Sequence, residues 1–172
     1  MTPNSDYSKT HLLQCRLGDL HEQNGELEKS VLQFESSRQT LNGIENDDEK
    51  LVTTLQSLSR VYSRLNRFDG ALQCNKDLVS LQSDSSSLAD VFHSMGNTYF
   101  ALGQHDEALE YLKKSVSIHK TNPDPDVMSM AIGLMDLAKV NECIEDHKAS
   151  YENLVEVSVK WKIGTPKLLI PQ

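Results

Sequence analysis

Apolar residues along the middle of the chain recur with helical spacing. Leu88, Phe92, Met95, Tyr99 and Leu102 follow one another at alternating intervals of four and three, which draws a single stripe down one face of an amphipathic helix. Strand-like alternation of period two is absent. Turn-forming clusters punctuate the pattern: Asn42-Gly43 with the acidic run to Glu49, the serine-rich stretch Ser83 to Ser87, and Asn122-Pro123-Asp124-Pro125-Asp126. Ser87-x-x-Asp90 reads as a capping box opening the helix that carries the stripe. Helices separated by such signals, with no strands, predict an all-α chain.

The clearest unit lies between Ala89 and Lys120. Phe92, Met95, Gly96 and Tyr99 are followed by Gly103, Ala108 and Leu112, which follows the pattern W-x2-L-G-x2-Y then A-x3-F with Phe for Trp, Met for Leu and Leu for Phe. Small residues at Gly96 and Ala108 let two antiparallel helices approach, while Phe92, Tyr99 and Leu112 fill the space beside the contact. One unit back, Tyr99 becomes Tyr62, Ala108 becomes Ala71 and Phe92 becomes Leu55, with Ser59 in place of Gly96. A further unit back, Gly18 and Phe34 fall on the glycine and phenylalanine positions, and His21 stands where Tyr is expected. One unit forward, Leu134, Leu137, Ala138 and Leu154 replace Phe92, Met95, Gly96 and Leu112.

The chain therefore resembles the tetratricopeptide-repeat family. That resemblance implies a right-handed superhelical solenoid of about four antiparallel helix pairs, at about 8–42, 48–82, 87–121 and 126–161. Residues 1–7 would form an N-terminal tail, 8–161 the repeat domain and 162–172 a C-terminal tail. The units recur at intervals longer than the roughly 34 residues of an ordinary repeat. In this they resemble kinesin light chains and the Leu-Gly-Asn-repeat regulators of heterotrimeric G-protein signalling. Met95-Gly96-Asn97-Thr98-Tyr99 is similar to the latter, and Pro123-Asp124-Pro125-Asp126-Val127 to the former.

In the family, the first helix of each pair lines a concave groove that holds partner segments. Carried over residue by residue, the groove positions include Arg16 in the first unit, Gln56, Arg60 and Arg64 in the second, His93 and Asn97 in the third, and Lys139 in the fourth. A surplus of cations on this face, with Asn97 able to pair with a peptide amide, predicts an acidic ligand segment. Chaperone-binding clamps need Lys and Asn at two first-unit positions; here these are Cys15 and Asp19, so that subtype is not expected.

Composition narrows the reading further. A length of 172 residues suits one domain or a short solenoid, and 38% apolar with 24% charged residues fits a soluble helical protein. A net charge of -8 argues against general nucleic-acid binding. Cys15, Cys74 and Cys143 are widely separated and in no C-x-x-C pairing, and no apolar run is long enough to span a membrane, so a cytoplasmic protein is expected.

The six histidines show no H-E-x-x-H or i, i+4 pairing and are expected to be exposed or in loops, with no metal bound. No phosphate-cradling glycine loop or nucleophile elbow occurs, so neither cofactor nor catalytic residues are expected. Trp161 is expected to pack on the last unit. The apolar run Leu168-Leu169-Ile170 leaves the C-terminal end without a polar cap, which points to self-association or continuation into further repeats. The function expected is a protein-interaction scaffold or adaptor that binds other proteins or peptides. The alternative is a regulatory or substrate-docking module of a larger enzyme, cilium or transport complex.

Overall fold

The computed structural model describes residues 3–41, 47–82, 84–122 and 126–164, the side chains of 3–6, 8, 85 and 160–164 excepted. Eight helices and no strand occur among the described residues. The chain divides into two compact units, Met1–Ser83 and Asp84–Gln172.

In the first unit, α1 (Pro3–Gln23) pairs with α2 (Leu27–Leu41), and α3 (Asp48–Arg64) packs on α2 and pairs with α4 (Phe68–Leu81). In the second unit, α5 (Ser85–Ala101) pairs with α6 (His105–Thr121), and α7 (Val127–Cys143) packs on α6 and pairs with α8 (His147–Gly164). The helix α1 begins five residues ahead of the expected Ser8, and α8 runs three residues past Trp161. Asn42 to Asn46, Pro123 to Pro125 and the Leu168-Leu169-Ile170 run lie outside the described residues, as does the side chain of Trp161.

All four pairs close with the same turn. A residue with positive φ follows the first helix in each: Gly25 (77°), Asn66 (56°), Gly103 (74°) and Glu145 (62°). Its N–H donates to the carbonyl three residues back, and the next N–H reaches five residues back, as in Gly25 to Glu22 and Glu26 to His21, or Glu145 to Glu142 and Asp146 to Asn141. This six-to-one closure satisfies the last carbonyls of the helix and demands a left-handed residue, which Gly and Asn supply cheaply and Glu145 does not.

The close approach expected at Gly96 is present. A Cβ there would lie 2.6 Å from Leu112 Cγ and 3.2 Å from the Leu112 backbone nitrogen, with Ala108 and Leu112 fully buried alongside. Gly18 stands in the same relation to Phe34, whose ring would come within 2.7 Å of a Cβ. In the second pair the glycine and the aromatic are replaced together: Ser59 Oγ donates to Asn75 Oδ1 at 2.8 Å, and both residues are buried. A buried hydroxyl and a buried amide thus satisfy each other where the other pairs use shape. In the fourth pair the equivalent Leu154 is 49% exposed, because no further helix lies over it among the described residues.

The expected capping box at Ser87 is not how α5 begins. The helix starts at Ser85, and Asp84 is its N-cap, accepting from the Ser87 N–H at 2.8 Å. An aspartate carboxylate one turn upstream is the stronger acceptor for that amide, so Ser87 serves as the third helical residue. Asp126 caps α7 in the same manner, accepting from Met128 N and Ser129 N.

Candidate protein-binding faces

The first helices of neighbouring pairs stand side by side within each unit, and their polar residues meet across the seam. On the first unit, Glu22 of α1 is the centre. Arg60 of α3 grips it with two nitrogens, Nε at 3.0 Å and Nη2 at 2.7 Å, and Arg64 adds Nη1 at 2.8 Å. Asp19 lies 3.9 Å from Arg60. Burial works to raise the Glu22 pKa, but hydrogen bonds from Arg60 and Arg64 outweigh it and hold the carboxyl below its usual value. The Glu22 side chain is only 11% exposed, whereas both guanidinium groups are about half exposed. Arg16 and Gln56 are exposed on the same helices, with no ion pair or hydrogen bond to another described residue.

The structure thus brings Arg60 and Arg64 together as expected, but over a carboxylate of their own chain. Counting the cations of the groove overlooks the acids beside them. Three arginines, at 16, 60 and 64, stand against the two carboxylates at 19 and 22, so the positive surplus on this face is small.

On the second unit, His93 and Asn97 of α5 converge on Asp136 of α7. His93 Nε2 donates to Asp136 Oδ2 at 2.7 Å, and the Asn97 amide lies at 3.5 Å. Burial pushes the Asp136 carboxyl up; the His93 hydrogen bond and charge, with Asn97 and Lys139, bring it below the usual range. Lys139 lies over the Phe100 ring, 4.9 Å from its centroid. Asp90 and Glu142 are exposed on these two helices, as are the apolar Ile132 and Met135. This face has no cationic surplus: Lys139 faces the carboxylates at 90, 136 and 142.

Two histidines depart from the expectation of exposed or loop positions. His11 and His119 are buried in helices. His11 Nδ1 bonds to Ser37 Oγ at 2.8 Å, and Cys15 Sγ lies 3.2 Å from the same hydroxyl, forming a polar layer under the α1 face. Burial lowers the His11 pKa, with the Lys50 charge adding to it. Thr54 of α3 lies 3.4 Å from the Ser37 hydroxyl, and no sequence motif marks this layer because its members come from three helices. Burial pushes the Cys74 thiol up to about 12, which leaves it a packing residue. Among the described residues no three His, Cys, Asp or Glu side chains gather where they could hold a metal ion.

Residues 87–154, covering the third unit and most of the fourth, match the family model of the tetratricopeptide repeat. Residues 87–154 thus carry tetratricopeptide repeats. Solved structures with the same fold include BtubC (BKLC) from P. vanneervenii, at TM-score 0.80 and 15% identity over 91% of this chain. This chain spans 65% of that structure's length, just under two thirds. The kinesin light chain TPR-like repeats of Podosopora anserina superpose at TM-score 0.76 with 20% identity, covering 97% of this chain and 80% of that one. MamA from Desulfovibrio magneticus RS-1 gives TM-score 0.68 and 16% identity over 89% and 76% of the two chains. No curated protein matches the sequence. At these identities the structures establish the fold alone, an all-α tetratricopeptide-repeat solenoid.

Proposed function

We propose that this tetratricopeptide-repeat scaffold holds a partner protein's extended segment against the first-helix faces of its units, without catalysis of its own, and that an acidic stretch of the segment lies on α1 and α3. The supporting observation is the Arg60–Arg64 pair: both guanidinium groups are fixed in place by Glu22 yet remain half exposed, with donors left over, next to an exposed Arg16. A fork of N–H groups recognises a carboxylate bidentately, and an outside carboxylate competes with Glu22 for these donors. The acidic preference belongs to the first unit only, since the second presents Asp90, Asp136 and Glu142 on its corresponding face.

A cytoplasmic setting fits this reading. The three cysteines are free, and no helix among the described residues is long and apolar enough to cross a membrane.

The test is titration of labelled Glu-rich and Lys-rich peptides into the protein and into an Arg60→Glu/Arg64→Glu variant, with helicity followed in parallel. Binding of the Glu-rich peptide that disappears in the variant supports the reading. Equal binding by an intact variant, or preference for the Lys-rich peptide, would end it.

A further inference from the structure

Two helix faces carry exposed apolar rows. On α1 the row is Leu13, Leu17 and Leu20; on α8 it is Tyr151, Leu154, Val155 and Val159. Exposed leucines on a helix at spacings of three and four are a packing face that lacks its partner. The repeat itself says what that partner looks like, because Leu13, Leu17, Leu20, Tyr151 and Leu154 stand at positions covered elsewhere in the chain, whereas Val155 and Val159 stand where α6 has the exposed Lys113 and Ser117.

One unit along from α1, the three leucine positions are Thr54, Leu58 and Val61 on α3; on α7 they are Gly133, Leu137 and Val140. All of these are buried, and they pack on the second helix of the preceding pair. Thr54 meets Ser37 of α2 at 3.4 Å, and a Cβ at Gly133 would lie 2.7 Å from Val116 of α6. Leu137 and Val140 share one cluster with Leu112 and Val116 of α6. Leu17 is 45% exposed, whereas Leu58 is 0% and Leu137 is 4% exposed.

The α8 row gives the complementary half. Tyr151 and Leu154 occupy the positions of Val31 and Phe34 on α2 and of Leu109 and Leu112 on α6. Leu112 is fully covered and belongs to the cluster shared with α7; Phe34 is 1% exposed. So α1 has the surface of a helix that follows another pair, and α8 has the surface of a helix that precedes one. Each is the other's missing neighbour.

Charge agrees with this register. At the joint between the first and second pairs, Arg67 at the start of α4 donates to Glu28 of α2 at 2.9 Å. Carried to the two open faces, the Arg67 position becomes Glu26 and the Glu28 position becomes Lys148. The pair is preserved with its signs exchanged; Glu26, which also bridges to His21 and Lys29, and Lys148, 3.9 Å from Glu152, both remain accessible, Lys148 almost fully.

We propose that the α8 face of one copy packs on the α1 face of a second copy, so that copies join head to tail through the packing that joins α2 to α3 and α6 to α7. Such a joint is heterologous: each product keeps one open α1 face and one open α8 face, and assembly continues past the dimer. The proposal develops the scaffold reading by naming a second copy of the chain as one of its partners.

Sedimentation velocity over a concentration series tests it, using the whole chain and the variants Leu13→Glu and Tyr151→Glu, both at exposed positions whose helicity serves as a folding control. The wild type is expected to grow beyond a dimer as concentration rises, and each variant alone to remain monomeric. A mixture of the two variants is expected to form a dimer and nothing larger, since it contains one intact joint with both outer ends blocked. Lys148→Glu should weaken assembly, and adding Glu26→Lys to it should restore it. A wild type that stays monomeric throughout, a single variant that still dimerises, or a mixture that does not would overturn the proposal. The Glu-rich peptide titration on Leu13→Glu separates the two readings, since a folded variant that has lost assembly should bind as before.

Discussion

Replacing Glu22 by Gln should make the protein less stable and a better binder of acidic segments. The amide keeps the shape of the side chain and one acceptor oxygen, but removes the charge that Arg60 and Arg64 share. Hydrogen bonds to charged groups contribute roughly 1.5–3 kcal/mol when well buried, and exposed ion pairs about 0.2–1 kcal/mol. Here the carboxylate is 11% exposed but both guanidinium groups are half in water, so solvent screening brings the expected loss to about 1 kcal/mol. For a chain of this size that is a fall in Tm of about 2–4 °C.

The same clasp opposes any outside carboxylate that must displace Glu22. Removing it should therefore tighten binding of a Glu-rich peptide about fivefold, which is the equivalent of about 1 kcal/mol. Thermal unfolding followed by circular dichroism and peptide titration by fluorescence anisotropy read the two effects separately. The signature is that they move in opposite directions. A variant that loses stability and also loses peptide affinity would refute the reasoning, because Glu22 would then be orienting the arginines for the ligand instead of competing with it. Because the folded-state pKa of Glu22 lies below its ordinary 4.5, its contribution to stability is present above that value and is lost as pH falls through the folded one.

Three further outcomes follow from the packing. Gly96→Ala places a methyl against Leu112 Cγ and backbone, and the overpacking, about 1–3 kcal/mol, should exceed the helix-propensity gain of about 1 kcal/mol; urea unfolding checks that the net change is destabilising. Burial lowers the His11 pKa in the folded state, so stability should fall as pH drops through 6.5 toward the folded value, and His11→Gln should flatten that slope in denaturation measured across this range. Glu145→Asn relieves a left-handed residue at the turn before α8 and should raise the unfolding midpoint by the equivalent of about 0.5–1 kcal/mol, with a fall in the midpoint counting against the strain argument.

The helix pairs are legible in the sequence because their determinants are local. Gly96 with Leu112, Gly18 with Phe34 and the stripe through Phe92 and Tyr99 all sit at fixed separations along the chain, so one good unit calibrates the others. The N-cap of α5 is ambiguous in sequence because Asp84 and Ser87 both satisfy the local rule, and only backbone geometry decides between them. The charge of the groove escapes for a different reason. Which carboxylate reaches Arg60 depends on how α1 lies against α3, a distance across two helices that no spacing within the chain encodes. The layer of His11, Cys15, Ser37 and Thr54 is hidden in the same way: each residue reads as an ordinary polar position until three helices are assembled.

The Ser59–Asn75 hydrogen bond bears on how a protein of this kind can be rebuilt. Helices that mate by a glycine against a bulky apolar residue can exchange partners with little loss, as Gly96 would still accept a Phe34-like ring in a remodelled pair. A helix bearing Ser59 cannot be given the partner of another unit without stranding a hydroxyl, nor can α4 leave α3 without stranding an amide. The second pair is thus keyed, and an exchange that cuts between α3 and α4 should cost stability that a cut in the segments flanking the pair does not. The second pair therefore moves only as a whole, whereas the helices of the glycine-mated pairs can be shuffled singly.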